Sequence, residues 1–164
     1  METGGVFLNM KIAVTGVPGT GKTTLCRALS EEGYRVMDMN QAAQELGCIE
    51  GQIVDIDCMN SKLAIDGMII MDSHYSHLLY PWCVIYMECE PDVLEKRLNS
   101  RGYVPEKISQ NMDSLLSEDI LYQCMESIPA SRILRIDTTE DHMEKNLKAA
   151  LVFIKKMEGK FNGP

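Results

Sequence analysis

The chain has 164 residues, 45% of them apolar and 24% charged, with a formal net charge of -8. That length holds one sizeable core and no comfortable second domain. No apolar run approaches the ~18 to 20 residues that a bilayer span needs, and the acidic balance disfavours nonspecific binding to DNA or RNA.

Met1 to Asn9 lack the charged start and long apolar stretch of a signal peptide, and a second methionine, Met10, stands directly before the first apolar run, so this segment reads as a flexible extension outside the fold. Lys11 to Gly16 reads as a strand ending in glycine, and Lys22 to Glu32 as a helix with Leu25, Ala28 and Leu29 at helical spacing. Tyr34 to Met37 reads as a second strand and Gln41 to Leu46 as a short helix stopped by Gly47. The rest of 39–66 is weakly patterned.

Gly67 to Asp72 and Trp82 to Glu88 are continuous apolar runs, the look of strands buried on both faces of a parallel sheet. Pro91 suits a first helical position and leads a helix to Ser100, and one long helical stretch is expected from Pro105 to about Ser127. Arg132 to Asp137 is the last expected strand, Thr139 to Met157 an amphipathic helix, and 158–164 a flexible end. Alternating β and α elements imply an α/β fold: about five parallel strands, right-handed crossovers, and helices on both faces.

Six cysteines (Cys26, Cys48, Cys58, Cys83, Cys89, Cys124) show neither a C-x-x-C pair nor zinc-ligand spacing, and several lie in apolar stretches. They read as reduced, inert core thiols, hence a cytoplasmic compartment.

Gly16-Val-Pro-Gly19-Thr-Gly21-Lys22-Thr23 matches the phosphate-loop pattern G-x-x-x-x-G-K-[ST] between a strand and a helix, as that motif requires. Gly16, Gly19 and Gly21 let the backbone curl until successive N–H groups point inward at the helix N-terminus, a nest for a triphosphate. Lys22 would reach the β and γ phosphates, the Thr23 hydroxyl would hold Mg²⁺, and Thr24 would contact the α-phosphate.

A metal at such a loop needs a carboxylate at the C-terminal end of a neighbouring strand, where Asp72 stands; the alternative is an aspartate capping the segment that follows. His74, two residues on, returns to the same side of an extended chain and could orient a water or an acceptor phosphate, or be an ordinary surface group. His77 and His142 have no such placement and receive no role. Arg97 and Arg101 lie four apart on one helical face beside Gly102, which could hinge a short lid over 101–111; either arginine could also be solvated surface charge.

Met10 to Thr24, the Asp72-Ser-His74 step, and Arg97-Leu-Asn-Ser-Arg-Gly-Tyr103 followed by Glu106-Lys107-Ile108 and Asn111 together resemble the adenylate kinase isoenzyme 6 family, its archaeal members most of all. The resemblance covers Met10 to about Ile154. It implies a single P-loop kinase domain over 10–157 that transfers phosphoryl groups from Mg²⁺-bound ATP to AMP and related monophosphates, with accompanying ATPase activity. It further implies a part in small ribosomal subunit maturation through transient contact with a platform protein. Position by position, Gly19, Gly21, Lys22, Thr23 and Thr24 would bind ATP, Asp72 and His74 would serve metal and water, Arg101 would be the lid arginine, and about 40–62 the monophosphate segment.

That segment contains no arginine and carries Glu45, Glu50, Asp55 and Asp57, so a monophosphate dianion is expected to meet acidic neighbours. Asp55 and Asp57 could instead read a base or ribose edge, or sit in a solvated turn. An ATP-driven assembly and release factor, with water as acceptor, is therefore a competing reading. A kinase for a small metabolite such as shikimate or a sugar acid is a third, and it predicts a basic acceptor pocket.

Overall fold

The structure is a computed structural model and describes residues 9–163, so Met1 to Leu8 of the expected extension lie outside the described residues. Among the described residues seven strands and seven α-helices follow in order: β1 (Met10–Thr15), α1 (Lys22–Glu31), β2 (Val36–Asp38), α2 (Met39–Leu46), β3 (Ile49–Glu50), β4 (Ile53–Val54), α3 (Ile56–Lys62), β5 (Met68–Asp72), β6 (Cys83–Glu88), α4 (Pro91–Ser100), α5 (Pro105–Ser117), α6 (Asp119–Ser127), β7 (Ile133–Asp137) and α7 (Met143–Phe161).

Five strands form one parallel sheet in the order β2-β5-β1-β6-β7, as the alternating pattern predicts. Side chains alternate between its faces, which is why the strands read as unbroken apolar runs. Ile12, Val14, Ile70, Ile85 and Met87 pack with Leu25 and Leu29 of α1 and with Ala150, Ile154 and Met157 of α7. Ala13, Met71, Val84 and Tyr86 pack on the other face with Met39 and Ala43 of α2, Met59 of α3, Leu94 and Leu98 of α4, and Leu121 of α6. Every strand of this sheet sends its C-terminal end to the same edge, and β1, the central strand, runs there into the glycine loop.

Four expectations are corrected. The stretch Pro105 to Ser127 is two helices, because Glu118 adopts φ 55° and ends α5 in a left-handed turn before α6 begins. The weakly patterned region holds the β3–β4 hairpin and α3, whose N-terminus the Asp55 carboxylate caps by accepting from the Cys58 N–H at 3.0 Å. The last helix continues to Phe161, whose ring meets Trp82 edge-on at 5.1 Å, so 158–161 belong to the packed fold.

The fourth concerns the thiols. Cys26, Cys83, Cys89 and Cys124 are buried and free, with burial pushing Cys83 and Cys124 up to about 12, and these four match the expectation of inert core thiols. Cys48 and Cys58 are instead joined in a disulfide, because the hairpin turns the chain back and brings their Cα atoms to 5.6 Å. The cysteines therefore do not read uniformly as a reduced set, and the inference of a reducing compartment drawn from them falls. Among the described residues no helix is long and apolar enough to cross a membrane.

Candidate active site

The loop after β1 has the backbone that its glycines require. Gly16, Gly19 and Gly21 have φ of 145°, 94° and 96°, a region that side-chain-bearing residues avoid. At Gly16 a Cβ would also strike the Met87 carbonyl at the end of β6, and at Gly19 one would come within 2.8 Å of Leu94. The loop is wedged between α4 and the sheet edge, and only glycine passes.

Lys22, first residue of α1, curls over the loop and donates to the carbonyls of Gly16 at 2.7 Å and Val17 at 3.1 Å. Burial lowers its pKa to about 8; Asp72 opposes the shift and the nearby Arg101 charge adds to it. A partly desolvated cation beside a second cation attracts a polyphosphate strongly. Thr23 donates its hydroxyl proton to Asp72 Oδ2 at 3.3 Å, bridging from α1 to the end of β5. Burial raises the Asp72 pKa, against the pull of Lys22 and the Thr23 hydrogen bond. These two oxygen donors fit Mg²⁺, which takes one or two protein oxygens and completes its shell with phosphate and water.

Beyond Asp72 the chain makes a short turn pinned to β1. The Ser73 N–H and Ser76 hydroxyl both donate to the Val14 carbonyl, at 3.4 and 3.0 Å. His74 projects from this turn toward solvent, and partial desolvation, with the Lys22 charge beside it, holds its pKa below the ordinary value of 6.5. It lines a groove of about 600 Å³ whose other walls are the amides Asn40, Gln44 and Gln52, the ring of Tyr75, and the aliphatics of the hairpin. None of Glu45, Glu50, Asp55 and Asp57 is among the residues that line this groove, although Glu50 and Asp55 are chain neighbours of residues that do. Asp55 is spent on capping α3 and Glu45 accepts from Gln41 at 3.2 Å on the solvent face of α2.

On the other flank, a groove of about 330 Å³ is lined by Gly19, Gly21, Thr24, Arg97, Arg101, Thr138 and the turn from Glu140 to Met143. Arg101 stands here beside the phosphate loop, where the sequence placed it. Arg97 is no surface charge. Its guanidinium donates to the Gly19 carbonyl at 3.2 Å, to the Thr138 hydroxyl at 3.1 Å and to the Thr138 carbonyl, while the Thr138 hydroxyl donates to the Thr20 carbonyl at 2.7 Å. Thr138 is not marked by the sequence and His142 receives no role from it, although a polar cluster directly after the last strand marks the sheet edge where ligands of this fold class bind. His77, given no role, is buried between the Thr15 hydroxyl and Gln123.

Comparison with known proteins agrees with this geometry. A family model described as "AAA domain" matches residues 12–120. A protein of Thermoplasma acidophilum named "Putative adenylate kinase" is 38% identical over 93% of this chain and 99% of its own length, and one of Archaeoglobus fulgidus with the same name is 36% identical over 89% and 83%. The chain belongs to this archaeal adenylate kinase family. Family membership bears out the resemblance to archaeal adenylate kinases. Among solved structures, shikimate kinase from Bacteroides thetaiotaomicron superposes with a TM-score of 0.64 over 89% of this chain and 98% of its own, and a gluconokinase from Sinorhizobium meliloti with 0.58 over 93% and 95%. Both are 16% identical to the family member described here, so they establish the shared P-loop kinase fold and nothing of its substrates.

Proposed function

We propose that this protein transfers the γ-phosphoryl group of Mg²⁺-bound ATP to AMP and related nucleoside monophosphates, and to water as an ATPase when the acceptor site is empty. The observation that carries this reading is the position of the Thr23–Asp72 contact, with one groove lined by Gly19, Gly21 and Thr24 and another lined by His74, two residues beyond Asp72. Thr23 and Asp72 would hold Mg²⁺, which offsets the charge of the β and γ phosphates. The loop N–H groups and Lys22 bind and orient those phosphates, and Arg101 counters charge that builds up on the moving group. The Arg97–Thr138 clasp keeps the loop rigid against the turn that would carry the ATP base. His74, facing the groove where the acceptor sits, orients the attacking phosphate oxygen of the monophosphate, or in the ATPase reaction orients the attacking water and accepts its proton.

The amide and aromatic lining of the larger groove supports a nucleobase as its occupant, and the names of the archaeal relatives support AMP. The groove walls carry no lysine or arginine, which speaks against shikimate or a sugar acid and favours, as a second reading, an ATPase that binds monophosphates poorly. The family resemblance supports a cytoplasmic role in small ribosomal subunit maturation, and the net charge of -8 suits contact with a basic ribosomal protein rather than with RNA directly. One assay decides between the readings: ADP formation from Mg²⁺-ATP with and without AMP, dAMP or CMP. If none of them raises turnover, the ATPase reading stands and the kinase reading is lost; a pull-down with small-subunit proteins that recovers none removes the ribosomal role.

A further inference from the structure

We infer that the Cys48–Cys58 disulfide determines which acceptor this site uses: closed, it seats a monophosphate; opened by a dithiol, it leaves water. This rests on the larger groove being the acceptor site. The two cysteines are ten positions apart, and between them lie Ile49, Gly51, Gln52, Ile53, Val54 and Ile56, which form one whole wall of that groove.

Ile49, Val54 and Ile56 rest against the core, but the backbone of that wall has few ties to the rest of the fold. β3 and β4 have two residues each and pair only with one another, and a two-stranded ribbon of that size does not stand alone in water. Ile53 at its tip is 75% exposed. The anchors are at its base, where the Cys48 N–H donates to the Ala43 carbonyl at 2.9 Å and the Asp55 N–H to the Cys48 carbonyl at 2.8 Å. The disulfide joins that base, with Cys48 buried, to the first turn of α3. Closing a loop of this length favours its ordered form by up to about 100-fold in the chain-entropy account. The donor side uses no residue from 48 to 58: the phosphate loop, Thr23, Asp72, Arg97 and Arg101 are all held by the main sheet and its helices.

Cys58 is half-buried and Cys48 buried, so a dithiol reaches Cys58 first. Its thiolate bonds to Cys58 Sγ, the S–S bond breaks, and Cys48 leaves as a thiolate that takes up a proton. The second thiolate of the reductant then attacks its own sulfur in the mixed disulfide and releases Cys58, so the protein gains two electrons and two protons and the dithiol ends as a disulfide.

The test compares oxidised wild type, wild type reduced with dithiothreitol, and the Cys48→Ser/Cys58→Ser double variant, with thiol titration recording the state of the bond and circular dichroism the fold. The expected result is a KM for AMP raised tenfold or more in the reduced protein and the variant, a KM for ATP within about twofold, and AMP-independent ADP formation retained. An AMP KM that stays the same after titration shows the bond opened overturns this inference alone, as does finding six free thiols in protein purified without reductant. Oxidised protein whose ADP formation AMP never stimulates overturns the kinase reading, and this inference with it.

Discussion

His77 Nδ1 lies 2.8 Å from the hydroxyl of Thr15, the last residue of the central strand, while His77 Nε2 lies 2.7 Å from Gln123 Oε1 on α6. With the Gln123 oxygen accepting from Nε2–H, the other ring nitrogen accepts the Thr15 proton. The residue that leads into the phosphate loop is thereby tied to a helix far away in sequence. Replacing His77 by Phe strands the buried Thr15 hydroxyl without its partner, and should cost about 1–3 kcal/mol of stability, measured by urea unfolding.

The same residue shapes the response to acid. Burial lowers the His77 pKa below its ordinary value of 6.5, with the Gln123 hydrogen bond opposing, so the unfolded chain binds the proton more readily than the folded one. Its stabilising contribution is complete above pH 6.5 and is lost as pH falls through the lower folded value. His74 is shifted the same way by burial and by Lys22. Unfolding free energy should drop below pH 6.5 in the wild type and drop less in His77→Phe; equal slopes would remove His77 from the account.

Lys22 governs the alkaline side. Its pKa, lowered by burial to about 8, means that ATP meets an increasingly neutral amine as pH rises past that value, and binding must then take up a proton. The KM for ATP should climb above pH 8, by up to about tenfold per pH unit. Stability moves oppositely: the folded chain sheds this proton first, so the Lys22 contribution grows from about pH 8 to 10.5. Lys22→Ala should lower ATP turnover about 100-fold or more and lose the alkaline rise in KM.

Arg97 of α4 and Arg101, the residue just past its end, should separate cleanly. Arg97→Ala removes the bonds to Gly19 and Thr138 and should lower stability by about 1.5–3 kcal/mol while raising the KM for ATP, as read by thermal unfolding and steady-state kinetics. Arg101→Ala should leave the melting temperature within a degree or two and lower kcat, by up to about 1,000-fold if its charge meets the transferring group. A melting temperature that falls as far for Arg101 as for Arg97 would contradict this division.

Asp72→Asn keeps the shape of the carboxylate and removes its charge. It should raise the Mg²⁺ concentration needed for half-maximal turnover and lower kcat about 100-fold, with the fold intact by circular dichroism. Unchanged Mg²⁺ dependence would take Asp72 out of the metal site.

What could be read from the chain alone was whatever the chain encodes in adjacent positions. The glycine loop is local: the φ values demanded at Gly16, Gly19 and Gly21 and the Lys22 and Thr23 side chains all fall within eight residues, between a strand and a helix that also announce themselves by periodicity. The parallel sheet was legible for the same reason, since strands covered on both faces must be apolar throughout. Asp72 and His74 followed from being at a strand end. What only the tertiary structure decided were contacts between distant positions and the direction in which side chains point. The Arg97 clasp joins residues 78 and 41 positions away, and the His77 bridge spans 62 and 46. The Cys48–Cys58 bond depends on a two-residue hairpin with almost no strand signal, and which side chains of 40–62 line the groove depends on how α2, the hairpin and α3 pack together. Residue type and spacing set which faces are buried; which buried atom meets which is set by the packing of elements that the chain brings together from its two ends.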